Sequence, residues 1–281
     1  MRSTPWNSYA ALVLAFACAG TGIPNLARAA PDAATKEALA KASQNPVADL
    51  ISLPLQDNLN FGVGPADQKQ NVLNIQPVYP IDLTANWNLV TRTIIPVITQ
   101  PDFGRGGGST SGIGDIQFSE FLSPSNSQGW IWGVGTILQA PTATNEVLGQ
   151  GKWGIGPTAV ALHLEKTSPW VYGALVNNVS SFAGSSNRQS VNQMLIQPFL
   201  NYNIASRPGM ALSFSPIITA NWEATGSNQW TVPLGLGVSQ ILFIGNQAVS
   251  IQVAGYSNVV RPEYAAAWTA RMQFSFLFPK K

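Results

Sequence analysis

The chain has 281 residues, of which only 10% are charged, against roughly a quarter in soluble domains. Its mean hydropathy of +0.09 is too low for a bundle of membrane helices, because Asn, Gln, Ser, Thr and Gly replace the missing charge. A net charge of +2 with no Lys/Arg cluster leaves no footprint for nucleic acid.

The first thirty residues read as an export signal. Arg2 supplies positive charge, AALVLAFACAG (Ala10–Gly20) is an apolar run, and Ala27-Arg28-Ala29 is a small-x-small cleavage site. The expected signal peptide is 1–29, with the mature chain starting at Ala30. The run is too short to span a bilayer as a helix. The alternative, a lipoprotein cleaved before Cys18, fits poorly with Ala15 and Phe16. Cleavage after Ala29 removes the only cysteine, and with it any disulfide or cysteine metal site.

Residues 30–56 form a leader. ATKEALAKAS (Ala34–Ser43) has helix-forming composition and Glu/Lys pairs, but a thin apolar face. The plain expectation is a solvated periplasmic helix, since short helices are marginal without packing. The sharper alternative is a helix that plugs something.

From residue 57 to 281 the period becomes two. In the closing RMQFSFLFPKK, with the residues before it, Trp268, Ala270, Met272, Phe274, Phe276 and Phe278 share one face. Thr269, Arg271, Gln273 and Ser275 share the other, and Leu277 is an exception. Successive strand side chains point to opposite sides, so this is a strand greasy on one face and polar on the other. The same pattern recurs near 58–65, 71–81, 84–98, 112–122, 129–141, 154–165, 170–180, 191–204, 209–223, 228–242, 247–260 and 264–278. Most are close to the nine to eleven residues that cross a bilayer at a tilt. Long links follow odd-numbered strands (QPDFGRGGGSTSG, PTATNEVLGQGKW, SSFAGSSNRQS) and tight ones follow even-numbered strands. Trp87, Trp130, Trp153, Trp170, Trp222, Trp230 and Trp268 fall at predicted strand ends, where interfacial girdles lie. The expected fold is all-β: a transmembrane antiparallel outer-membrane β-barrel of about twelve strands. Such a wall pairs every backbone group and leaves no open edge to lipid. A soluble lipocalin-like barrel or sandwich is the rival fold. The expected partners are outer-membrane lipid and, through the aromatic last strand, the barrel-assembly machinery.

Several stretches also carry a resemblance. QNPVADLISLPLQDNLNFGVGP, NVLNIQPVYP, WNLVTRTIIPVI, GIGDIQ, GWIWGVGTILQAPTAT with LGQGKWGIGPTAV, VNQMLIQPFLNYN, WTVPLGLGV and FLFPK resemble bacterial outer-membrane transporter proteins similar to the MetA-like family associated with phenol-degradation pathways. The resemblance runs from about Gln44 to Lys281 and is most specific over Pro141–Pro157. It implies an outer-membrane barrel that moves small, often aromatic or apolar, compounds, and it carries over no site residues.

Candidate residues follow from the predicted faces. Arg92, Asp115, His163, Glu165, Glu223 and Arg271 fall on the polar, lumen-lining side. Buried charges need partners, so the two arginines are expected to pair with the acids. Glu120 is a misfit on the lipid side, unless a bulge turns it inward. In LGQGKWGIG, Gly149, Gly151, Lys152 and Trp153 form either a loop folded over the pore or a bulge beginning a strand beside a girdle tryptophan. GRGGGSTSG (Gly104–Gly112) lacks phosphate-loop spacing and reads as a flexible loop. His163 with Glu165 could be two parts of a hydrolytic set, but a satisfied lumen histidine is the plainer reading. No metal site or cofactor is expected. The function read from the sequence is passive passage or uptake of small molecules. The rivals are a structural barrel with a filled lumen and an envelope lipid-modifying enzyme using His163.

Overall fold

The computed structural model describes residues 32–103, 108–127 and 129–280. The predicted signal peptide and Cys18 lie outside these residues, as does part of the glycine-rich stretch. After helix α1 (Ala33–Ser43) the chain forms β1 (Leu50–Val63), β2 (Gln68–Ile75), β3 (Val78–Thr84), β4 (Trp87–Pro101), β5 (Ser109–Ile113), β6 (Ile116–Pro124), β7 (Gly129–Ala140) and β8 (Lys152–Leu164). Then come β9 (Trp170–Gly184), β10 (Asn192–Asn203), β11 (Met210–Phe214), β12 (Ile218–Asn221), β13 (Trp230–Ile244), β14 (Gln247–Val260) and β15 (Trp268–Pro279).

Three traverses of the wall are interrupted, so β2–β3, β5–β6 and β11–β12 each count as one stave, and the barrel has twelve. All pairings are antiparallel. The wall closes where β15 meets β1, in register from Leu50 opposite Pro279 to Phe61 opposite Trp268. The predicted rhythm of connections is present. On one rim the links are 64–67, 102–108, 141–151, 185–191, 222–229 and 261–267; on the other they are 85–86, 125–128, 165–169, 204–209 and 245–246. Two of the interruptions carry proline, Pro77 and Pro216, which cannot donate to a ladder.

Alternation sets inside and outside. On β15, Met272 and Phe278 are exposed on the outer face, while Arg271, Ser275 and Leu277 are buried. Outward aromatics gather at both ends. At the short-turn rim, Trp87 meets Trp132, Trp130 meets Tyr172, and Trp170 meets Tyr202. At the long-loop rim, Phe61 stacks on Trp268 and Trp222 meets Trp230 edge-on.

The first stave starts at Leu50, so the predicted boundary at 57 lies inside it. The alternation is hidden there because Leu50 faces inward onto the leader while Ile51, Leu53 and Leu55 take the opposite face.

The leader is not a solvated helix. Asp32 caps it, its Oδ1 accepting from the Thr35 N–H at 2.7 Å; hydrogen bonding to the Thr35 side chain, and then to its backbone N–H, lowers the Asp32 pKa. Leu39 and Ala40 are buried against Leu50, Ile241, Ala248 and Leu277. This explains the Leu277 exception: an inward leucine is the seat of the helix. Lys41 is also buried, and its Nζ donates to the carbonyls of Glu165 and Lys166 at 3.3 and 2.6 Å. Beyond the helix, Gln44 bonds Asn203, and Val47 enters a cluster with Val90, Phe121, Leu162 and Phe199. The leader therefore fills the barrel from the short-turn end.

The closing lysines have a structural part too. Lys280 Nζ lies 2.6 Å from Asp49 and 2.7 Å from Asp82, fastening the end of β15 to the start of β1 and to β3. The hydrogen bond that Lys280 donates to Asp49, then that to Asp82, raises the Lys280 pKa above its ordinary 10.5. A raised cationic pKa adds stability that is whole below the unfolded value and is lost as pH climbs through the folded one. The stability difference between the native chain and Lys280→Met should therefore stay constant from neutral pH up to about 10 and shrink above it, read by unfolding in detergent at each pH. The leader's seat is tested separately. Leu39→Ala should remove about 2 kcal/mol or more of docking, roughly thirtyfold in the undocked population. Trypsin should then cut at Lys36 and Lys41 faster while the barrel keeps its heat-modifiable gel mobility.

Candidate functional site

The interior divides into levels along the axis. The short-turn end is apolar, packed by Val47, Phe121, Val160, Leu162, Val171 and Leu175. Above this the wall turns polar. Gln197 bonds the Ser215 hydroxyl, Gln252 bonds the Ser213 hydroxyl, and Gln273 bonds Ser275. Two cavities of about 200 and 280 Å³ occupy the lumen and share Gln56, Gln76, Arg92, Leu175 and Gln197 in their walls. The smaller is floored by leader residues from Ala42 to Ala48 and bordered by Arg271; the larger reaches up to Asp115.

The long-loop end is closed in part by the 141–151 link. Thr142 Oγ1 accepts from the Ile116 N–H and donates to the Gly114 carbonyl, and Thr144 Oγ1 accepts from the Ile113 N–H. These threonines replace the ladder where β5 gives way to β6. Asp115 accepts from the Ala143 N–H at 3.2 Å and the Gln150 N–H at 2.5 Å. A side chain at Gly149 would meet Asp115 Oδ1 at 2.5 Å, so only glycine lets the loop come this close. Arg188, from the next long link, donates to the carbonyls of Glu146, Gly149 and Gln150. The short turn Glu146–Leu148 thereby buries Leu148 against the inner wall.

The structure sorts the predicted site residues. Arg92, Arg271 and Asp115 face the lumen. The expected pairing of the two arginines with acids does not occur: among the described residues, neither has a carboxylate within ion-pair distance. Asp115 is engaged by backbone N–H groups, and Glu165 is engaged elsewhere. His163 and Glu165 do not line the lumen. His163 faces outward between Trp130 and Tyr172, its Nε2 3.3 Å from Glu165 Oε1. The reason is that Val160 and Leu162, on the other face of β8, pack the apolar lower core, so the greasy side of this strand's lower end points in. Glu223 is exposed in the 222–229 link, past the end of β12. Glu120 stays on the outer face without a bulge, accepting from the Thr136 hydroxyl at 3.0 Å.

The loop candidates divide. Gly149 and Gly151 belong to the inward-folded loop, Gly151 with φ at +69°. Lys152 opens β8 opposite Gly184, and Trp153 points outward beside a bulge at Gly154. Gly149 and Gly151 thus lie in the loop, and Lys152 and Trp153 at the start of β8. Sequence reasoning missed Arg188, which sits in a polar loop with no periodicity to mark it. It also missed Val47, which in NPVADL carries no period to mark it as buried.

No protein-family model and no curated protein matches the sequence. Solved structures do match. The COG4313 outer membrane channel from Pseudomonas putida F1 superposes with a TM-score of 0.61 at 17% identity, covering 83% of this chain and 97% of that one. The β domain of the Bordetella autotransporter BrkA gives 0.43 at 13%, covering 82% and 100%. Outer membrane phospholipase A from Escherichia coli gives 0.41 at 11%, covering 86% and 97%. The last two are too distant to carry an argument. The first shows a shared fold: this chain is a closed, twelve-stave antiparallel barrel of the outer-membrane type.

Proposed function

We propose that the chain is an outer-membrane channel that lets small molecules move passively through its lumen. The observation that carries this reading is the pair of neighbouring cavities inside a wall that is apolar outside and lined by amides, hydroxyls and two arginines inside. A likeness in fold to a protein described as an outer membrane channel supports it. In this reading the long loops face the outside and the short turns and both chain ends face the periplasm. The chain would arrive by the signal peptide 1–29 and be assembled through its aromatic last strand. The resemblance to MetA-like proteins points to aromatic or apolar solutes, and the apolar residues of the larger cavity suit them.

Two closures regulate passage in this reading: the leader at the periplasmic end and the 141–151 loop at the outer end. Reconstituted in planar bilayers, the native chain should give a small, steady conductance. Deletion of residues 32–46 should enlarge it several-fold, because the helix is the main obstruction at the short-turn end. Conductance no higher than that of bare lipid from both proteins, each folded by gel mobility, would remove the channel reading and leave a structural barrel with a filled lumen.

A further inference from the structure

Arg92 and Arg271 are charged groups inside the wall, and among the described residues neither has a carboxylate within ion-pair distance. A guanidinium carries five N–H donors. Arg271 donates from Nε to Asn58 Oδ1 at 3.0 Å and from Nη1 to the Ser215 carbonyl at 3.3 Å, and its guanidinium lies 4.8 Å from the centre of the Tyr256 ring. Arg92 donates to Gln76 Oε1, and the surface it still exposes opens on both cavities. The carboxylate that borders the same space, Asp115, is taken up by two backbone N–H groups. Enclosed charge without a partner is costly, and here it is spread over two groups that border one cavity.

Their placement defines a shape. Between β15 and β4 lie β1 and the β2–β3 stave, so the two arginines stand three strand spacings, about 14 Å, apart around the wall, and six residues apart in register, Arg271 opposite Asn58 and Arg92 level with Ser52 through Val78. The amides of Gln56, Asn58 and Gln76 fill the interval. Beside Arg92 the larger cavity is also lined by Ile94, Phe121, Ile137, Leu195 and Ile217. The cavity of about 280 Å³ is therefore mixed, with Arg92 and the amides of Gln56, Gln76, Gln117 and Gln197 lining one part of it and these apolar side chains another, and its whole volume exceeds the roughly 150 Å³ that holds a benzene ring.

We infer that the lumen contains a binding site for a small monocarboxylate with an apolar body. Arg92 holds the carboxylate, Arg271 keeps the chamber positive, and the Ile94–Phe121–Ile137 side receives the body. This deepens the channel reading and rests on it for its meaning: the preferred solute is an organic anion, not merely a greasy molecule.

The test uses benzoate and its uncharged analogue benzamide, titrated calorimetrically into the full-length mature protein in a non-ionic detergent. Benzoate should bind saturably and benzamide at least about tenfold more weakly, the size of one hydrogen bond to a charged group. Arg92→Gln should weaken benzoate by at least about tenfold and leave benzamide unchanged, and Arg271→Gln should weaken benzoate by a smaller factor. Equal affinity for benzoate and benzamide, or full benzoate affinity in folded Arg92→Gln, overturns the site. The comparison of the two ligands on the native chain needs no variant and stands even if Arg92→Gln does not fold. Binding is read without transport, so the two readings fail separately. A barrel that binds benzoate through Arg92 but conducts nothing loses the channel and keeps the site. A barrel that conducts but ignores ligand charge does the reverse.

Discussion

A backbone that crosses lipid must pair every N–H and C=O within the protein. That requirement makes the first and last staves neighbours and fixes which side chains face out. The twelve-residue register between β1 and β15, from Leu50 opposite Pro279 to Phe61 opposite Trp268, is where it is met. The Lys280 bridge to Asp49 and Asp82 stands at the foot of this seam. Once the wall closes, alternation leaves an interior, and the rest of the sequence decides how that interior is filled.

It is filled unequally. The lower end is a small hydrophobic core shared between wall and leader, and it contributes burial as any soluble core does. The middle is polar and holds two arginines. At the upper end the 141–151 loop is stitched to the break in the β5–β6 stave by threonine hydroxyls, the Asp115 carboxylate and Arg188. The 141–151 loop therefore substitutes side-chain hydrogen bonds for a ladder that the interrupted stave cannot make. The break and the loop explain each other.

The wall was legible in the sequence because period two is a direct image of the pleat. Strand number, the alternation of long and short links, and the tryptophans at both rims could all be read from it. The interior was less legible, since the pattern reports a face and not what lies behind it. At the lower end of β8 the apolar face points inward, so His163 and Glu165, assigned to the lumen by their polarity, sit outside among Trp130 and Tyr172. Leu50 and Leu277 broke the alternation because the leader packs on them, which could be recognised only once the leader's position was known. The pairing of Arg92 and Arg271 with acids followed from a sound rule about buried charge. It failed because a lumen can leave a charge facing a cavity where a solid core cannot.

The claim beneath all of this is that one face of each stave meets lipid and the other meets the lumen. Collision accessibility along β15 tests it most directly, using single cysteines at 272 to 276 in a chain whose Cys18 is replaced by Ser, spin-labelled and placed in bilayers. The account predicts that labels at 272, 274 and 276 collide readily with dissolved oxygen, which concentrates in lipid, while labels at 273 and 275 do not. Accessibility without a period of two, or with its maxima at 273 and 275, would contradict it.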